Sequence, residues 1–289
     1  MPKRLENLME TFEAELQAKF RGVLPEDTAW QAAQYSISDG GKRIRPRLLF
    51  ATALACGADG RNALPLAVAL EMVHTYSLIH DDLPCMDDDD LRRGKPSCHI
   101  MYGEATALLA GDALLTEAFA VIADSDLPGD TIADAVLCLA VAAGHNGMIL
   151  GQVLDMAFEE SDVDSAMLQR MNALKTGRLI IAAGNLGWLC GSRTKPFREA
   201  FLPFFHALGV LFQVADDILD VISTEEDLGK PIGSDAENSK TTWVSLMGVE
   251  KAKGLAKELY EKAQGYLRRI GDDTQYLSAI LDTVGGKVI

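Results

Sequence analysis

Apolar residues recur at intervals of three and four along almost the whole chain, and this period constrains the fold more than any other feature. Leu5, Leu8, Met9, Phe12, Leu16 and Phe20 share one helix face across residues 3–20. Segments of the same kind follow at 25–37, 48–55, 64–83, 106–123, 131–143, 147–158, 165–173, 179–190, 196–222, 241–270 (with a break near Gly248) and 273–284. Val, Ile and Thr alternation of strand type is scarce. The expectation is an all-α fold, a bundle of about ten or more helices, with residues 1–289 as a single domain. Apolar content of 48% is ample for its core.

The charge balance narrows the partners. With 27 basic and 42 acidic residues the net charge is -15, the opposite of a nucleic-acid footprint. A chain this acidic handles anions only by concentrating its basic residues locally or by recruiting cations. The five cysteines (Cys56, Cys85, Cys98, Cys138, Cys190) are odd in number and lack CxxC spacing, which reads as free thiols in a reducing, cytoplasmic setting. The N-terminus has no apolar signal segment, and charges interrupt the apolar runs short of the ~20 residues of a membrane span.

Two acidic clusters interrupt the helical pattern. The first runs from Asp81-Asp82-Leu83-Pro84 to Asp87-Asp88-Asp89-Asp90 and is followed by Arg92-Arg93. Its apolar lead-in places it where a core helix meets solvent. Asp81 and Asp87 would lie about 120° apart on a straight helix, so they converge only if the helix breaks at Pro84. The second, Asp216-Asp217-Ile218-Leu219-Asp220, sits in an apolar helix, with Asp216 and Asp220 about 40° apart on one face. Like charges at that spacing cost stability unless something offsets them. Hard divalent cations take carboxylate oxygens, and Mg²⁺ adds substrate phosphates. A solvated acidic loop for the first cluster, and a capping or ion-pair role for the second, account for each alone.

The basic counterpart is Gly40-Gly41-Lys42-Arg43-Ile44-Arg45-Pro46-Arg47, four cations behind two glycines. Glycine permits close backbone approach and arginine grips phosphate bidentately; a basic helix start on the surface is the plainer alternative. His74 lies about 20° from Asp81 in projection, with Ser77 on the same face. Lys175 and Lys230 carry no signal by themselves.

Taken in order, these fragments resemble the trans-isoprenyl diphosphate synthases. The resemblance covers nearly the whole chain and includes His80-Asp81-Asp82-Leu83-Pro84, Asp90-Leu91-Arg92-Arg93-Gly94-Lys95-Pro96, Gly151-Gln152, Lys175-Thr176-Gly177, Phe212-Gln213-x2-Asp216-Asp217 and Gly229-Lys230. The four-residue spacer between Asp82 and Asp87 is similar to the bacterial farnesyl and plant-type geranylgeranyl subgroups. The resemblance implies an isoprenoid synthase-type bundle around a central substrate cavity, a homodimer, and three Mg²⁺ ions. Asp81, Asp87 and Asp216 would carry the metal, with Asp82 and Asp220 assisting. Arg92, Lys175 and Lys230 would hold an allylic diphosphate; Thr176 and Gln213 would line its site, and Lys240 is a weaker candidate. Lys42, Arg45, His74 and Arg93 would hold isopentenyl diphosphate.

The implied reaction ionises the allylic diphosphate, joins the cation to the isopentenyl double bond and loses a proton. It needs no protein nucleophile, and no Ser–His or Cys–His signature is present. By the same resemblance Tyr76, five before Asp81, would floor the tail pocket, with Ser77 beside it. That favours a farnesyl (C15) over a geranylgeranyl (C20) product, although projection alone puts Tyr76 about 140° from Asp81. A geranylgeranyl or geranyl synthase is the nearest alternative. A terpene cyclase would not need the Lys42/Arg45 cluster, and a silent subunit should have lost one acidic motif. One departure is the C-terminus, where Lys287 alone is basic although relatives often end in a basic tail.

Overall fold

The computed structural model describes residues 3–38, 40–158, 161–222 and 241–289. The first four helices are α1 (Lys3–Ala18), α2 (Thr28–Ile37), α3 (Ile44–Ala55) and α4 (Leu64–Asp81). Next come α5 (Cys98–Tyr102), α6 (Glu104–Ala123), α7 (Gly129–Ala143), α8 (Met148–Phe158), α9 (Ser165–Asn172) and α10 (Arg178–Leu189). The last are α11 (Phe197–Ala200), α12 (Leu202–Ile222), α13 (Trp243–Met247), α14 (Val249–Ile270) and α15 (Gln275–Gly285). The strands are β1 (Leu91–Arg92) and β2 (Lys95–Pro96), paired as an antiparallel hairpin. The all-α expectation holds.

Burial explains the layering. α3 and α4 are apolar on nearly every side, and a helix of that kind belongs inside. α6 packs along α4, and α10 along α3. Small residues allow that approach: a Cβ on Gly187 of α10 would lie 2.9 Å from the Thr52 Cβ and 3.0 Å from the Ala53 nitrogen in α3. α12 is anchored by a run of aromatic rings, Phe197, Phe201, Phe204 and Phe205, with centroids 5.1 to 6.0 Å apart. Emptying such a fully buried Phe costs about 3–5 kcal/mol. α14 shows the opposite pattern, burying the narrow stripe Ala252, Ala256, Ala263, Leu267 and Ile270 against α12.

Several boundaries differ from the periodic reading. α3 begins at Ile44, not Leu48, so the basic motif lies in its first turn. α4 ends at Asp81, not Leu83, two residues before the Pro84 turn begins. The 196–222 segment is two helices joined at Phe201. The hairpin and α5 carry no periodic signal because each is too short to repeat. Two helical stretches, Glu104–Ala123 and Gly129–Phe158, are long and apolar enough to cross a bilayer by length and composition, contrary to the reading of interrupted runs. Only 39% and 33% of their apolar windows are buried, so both present apolar surface outward.

Candidate active site

The bend after α4 builds the first half of the site. The chain leaves the helix at Asp82, turns through Leu83–Met86, and returns so that the Asp87 N–H donates to the Asp81 carbonyl (2.8 Å). The convergence of Asp81 and Asp87 required a break at Pro84, and the turn supplies it. Burial pushes the Asp81 carboxyl up to about 6, reinforced by Asp87 and Asp82 and opposed by Lys175 and Arg92. An acid so placed gains from any cation brought to it.

Asp82 takes a different part. It is buried and paired with Arg92, whose Nε donates to it at 2.9 Å, while Arg92 Nη2 also reaches Asp89 at 3.1 Å. Asp89 is thus tied to the hairpin through Arg92. β1 and β2 hold Arg92 in place: their two-residue turn, Arg93-Gly94, has positive φ at both positions (55° and 79°), as a tight hairpin of primed type requires.

That turn delivers Arg93 to the glycine pair. Arg93 Nη1 donates to the Gly40 carbonyl (2.6 Å), and a Cβ on Gly41 would lie 2.7 Å from the Arg93 Cζ. Gly41 thus makes room for a guanidinium, where the sequence suggested room for an anion. The four cations behind the glycines then divide by burial. Arg43 is buried and paired with Glu71 (2.7 Å) and Glu13 (2.9 Å), and Arg47 pairs with Glu6 (2.9 Å). These two tie α3 to α4 and α1. Lys42 is exposed, and Arg45 points to His74, with Nη1 3.2 Å from His74 Nε2.

Arg45 has no acceptor, so His74 accepts through Nε2 and is neutral. Its pKa is driven well down by burial, then by Arg45, Arg93, Arg43 and Arg92. The Arg45 guanidinium is itself lowered to about 10, by burial and by Arg93 against the opposing pull of Glu71. Its Nε is buried with no hydrogen-bond partner among the described residues. Four arginines near one neutral histidine, with a buried donor unsatisfied among the described residues, concentrate positive charge suited to an anion.

Lys175 enters from another side. It lies in a π-helical turn, Ala173–Gly177, of the kind that often marks a functional position. Its Nζ pairs with Asp155 of α8 (2.6 Å), and Gly151 leaves room for the Lys175 backbone. Thr176 is half-buried beside it, and α12 packs on this turn, carrying half-buried Gln213. Asp155 was not assigned from the sequence, and neither was Gln152, whose buried amide atoms have no partner among the described residues. An acid one turn beyond Gly151-Gln152 was the only available signal.

In the second cluster Asp216 is exposed and Asp220 is buried. Asp217 accepts from the Trp243 N–H (2.7 Å), tying α12 to α13. Lys230 and Lys240 lie outside the described residues. Tyr76 is buried at 6% exposure, and the Ser77 hydroxyl donates to the His74 carbonyl (2.8 Å). Among the described residues no three His, Cys, Asp or Glu side chains form a ready cage for a metal. The donor chemistry nonetheless fits Mg²⁺, which takes one or two carboxylates and completes its shell from substrate.

Comparison with known proteins decides the family. The polyprenyl synthetase model matches residues 26–276. This chain belongs to the polyprenyl synthetase family. Among its relatives, the farnesyl diphosphate synthase of Haemophilus influenzae is 40% identical over 263 residues, covering 90% of this chain and 89% of that protein. The geranylgeranyl diphosphate synthase of Cyanophora paradoxa is 43% identical over 258 residues, covering 88% and 86%. A crystal structure of a geranyltransferase from Helicobacter pylori, complexed with magnesium and isoprenyl diphosphate, superposes with a TM-score of 0.87 at 32% identity, covering 98% of each chain.

Proposed function

We propose that this polyprenyl synthetase condenses isopentenyl diphosphate with dimethylallyl and then geranyl diphosphate, head to tail, to give (2E,6E)-farnesyl diphosphate. The observation that carries the reading is the pairing of two anion-directed clusters: Asp81, Asp87 and Lys175 on one side, Arg45, His74 and Arg93 on the other. A terpene cyclase needs only the first.

Asp81, Asp87 and Asp216 would hold Mg²⁺, with Asp220 behind Asp216 and Asp82 acting mainly through Arg92; we take the number of ions to be three. When bound, the metal supplies Lewis-acid neutralisation of the departing diphosphate. Lys175 and Arg92 hold that diphosphate from the protein side, an electrostatic role whose benefit grows as charge develops on the leaving group. Lys175 would exchange its Asp155 contact for a phosphate oxygen. Lys42, Arg45, His74 and Arg93 hold isopentenyl diphosphate so that its double bond faces the allylic carbon, and the neutral His74 accepts from Arg45 to fix the guanidinium plane. Thr176 and Gln213 line the allylic tail near the reacting carbon, and Lys230 and Lys240 are proposed to close over the diphosphate. The apolar helices keep water from the cation.

The C15 length rests on reading Tyr76, buried on α4 five residues before Asp81, as the floor of the tail pocket, with Ser77 adjacent. We also propose one domain over residues 1–289, a homodimer and a cytoplasmic setting. The dimer is supported by the outward apolar side chains Leu108 and Leu109 on α6, Leu137 and Val141 on α7, and Ile149, Val153 and Met156 on α8. Patches of that kind mark interaction surfaces.

The test is single-variant turnover with both diphosphates and Mg²⁺. Asp81→Ala and Asp216→Ala should each abolish condensation while circular dichroism stays helical; near-normal rates in either would remove that aspartate from the metal site.

A further inference from the structure

Tyr76 does not stand alone on α4. One turn on, His80 lies on the same helix face, and the two rings meet edge to face, with centroids 5.8 Å apart and planes at 82°. His80 is itself fixed from the opposite helix. Its Nε2 lies 3.0 Å from the Leu108 carbonyl of α6, within hydrogen-bonding reach. One turn of α6 further along, Gly111 faces the imidazole, and a Cβ there would overlap the ring, with even the more distant Cε1 only 2.9 Å away. Gly111 is helical and has no positive φ, so its value is the space it leaves. Among the described residues α4 and α6 pack along one another extensively, and this contact lies in their seam.

We propose that His80, seated on α6 by Gly111 and the Leu108 carbonyl, is the positioning residue that holds Tyr76 in place and thereby sets product length. The proposal rests on the reading of Tyr76 as the floor of the tail pocket. A tyrosine turns about two side-chain torsions, and burial alone does not choose between its rotamers. The edge of the imidazole does, because the ring cannot swing toward α6 while His80 occupies that space. With the imidazole gone, Tyr76 gains the vacated volume and the floor drops. His80 therefore acts through Tyr76 and needs no contact with substrate. A merely structural imidazole would change stability and leave the product unchanged.

The test is chromatography of the products from dimethylallyl and isopentenyl diphosphates with Mg²⁺, scored as the fraction longer than C15 at equal total turnover. Tyr76→Ala and His80→Ala should each raise that fraction about tenfold, in the range a change in pocket volume produces. The double variant should exceed Tyr76→Ala by nothing, since both act through one ring. His80→Phe keeps a ring edge against Tyr76 and should retain the C15 product. Lengthening by Tyr76→Ala but not by His80→Ala would overturn the positioning role and spare the floor. No lengthening by Tyr76→Ala would overturn the floor and the proposal with it. An additive double variant would show that His80 acts on its own and would also overturn it. Gly111→Ala probes the contact from α6: it should lower the thermal midpoint and broaden the product range, and combining it with His80→Ala should recover the midpoint. No recovery would mean that Gly111 does not serve His80.

Discussion

Replacing Gly41 with alanine tests how the isopentenyl diphosphate site is assembled. Gly41 has φ +100°, where a side chain is strained by about 1–2 kcal/mol. The added Cβ would lie 2.7 Å from the Arg93 Cζ and 2.9 Å from both terminal nitrogens, so the guanidinium must leave. It then loses its 2.6 Å hydrogen bond to the Gly40 carbonyl and its place beside Arg45. A charge-assisted hydrogen bond is worth about 1.5–3 kcal/mol, and each 1.4 kcal/mol is about tenfold in affinity. The Michaelis constant for isopentenyl diphosphate should therefore rise roughly ten- to a hundredfold, with that for the allylic substrate unchanged and kcat largely kept. The assay is steady-state kinetics with each diphosphate varied in turn. In an Arg93→Ala background the glycine substitution should add nothing to the Michaelis constant. Equal effects on both substrates, or a further rise in that background, would refute the assignment of Gly41 and Arg93 to one site.

The neighbouring cations should separate cleanly. Lys42→Ala should raise the Michaelis constant for isopentenyl diphosphate with little change in denaturant midpoint, whereas Arg43→Ala strands the buried Glu71 and should cost about 3–5 kcal/mol in urea unfolding. Asp81 is raised to about 6 from 3.8 by burial, so its charge costs folding energy that is absent below about pH 4, grows as pH rises through that window and is complete above it. Asp81→Asn should thus stabilise EDTA-treated protein by at most about 3 kcal/mol at pH 8 and about 1 kcal/mol at pH 4.5, while abolishing turnover; a pH-independent change would contradict the burial account. Asp155→Asn should leave Lys175 without its parked partner and alter the allylic Michaelis constant more than that for isopentenyl diphosphate, with saturation kinetics as the check.

Most helices were legible because an amphipathic face is a local property. The start of α3 was not, because Arg43 holds a left-handed φ of 46° and the cations around it hide the apolar period. The hairpin was hidden by its length: two-residue strands cannot alternate. The return of Asp87 to Asp81 was readable from Pro84, since the geometry allowed no other convergence. What could not be read was the division of labour among like residues. Arg43 and Arg45 differ by two positions, yet Glu13 and Glu71, from two other helices, decide that the first is structural. Asp82 and Asp81 are adjacent, yet Arg92 arrives from the hairpin to claim only the first named. The role of Gly41 depends on a guanidinium more than fifty residues away in sequence, and that of Gly111 on a histidine in another helix. Long-range partners set these roles, and one-dimensional spacing does not carry them.

The central claim, that two anion sites and a Tyr76 floor make this chain a C15 synthase, is tested most directly by product analysis. The protein is incubated with dimethylallyl and isopentenyl diphosphates and Mg²⁺, and the dephosphorylated products are resolved by chain length. The account predicts farnesol as the dominant alcohol with geraniol as a transient. Geranylgeraniol as the main product, or consumption of the allylic diphosphate with no isopentenyl incorporation, would contradict it.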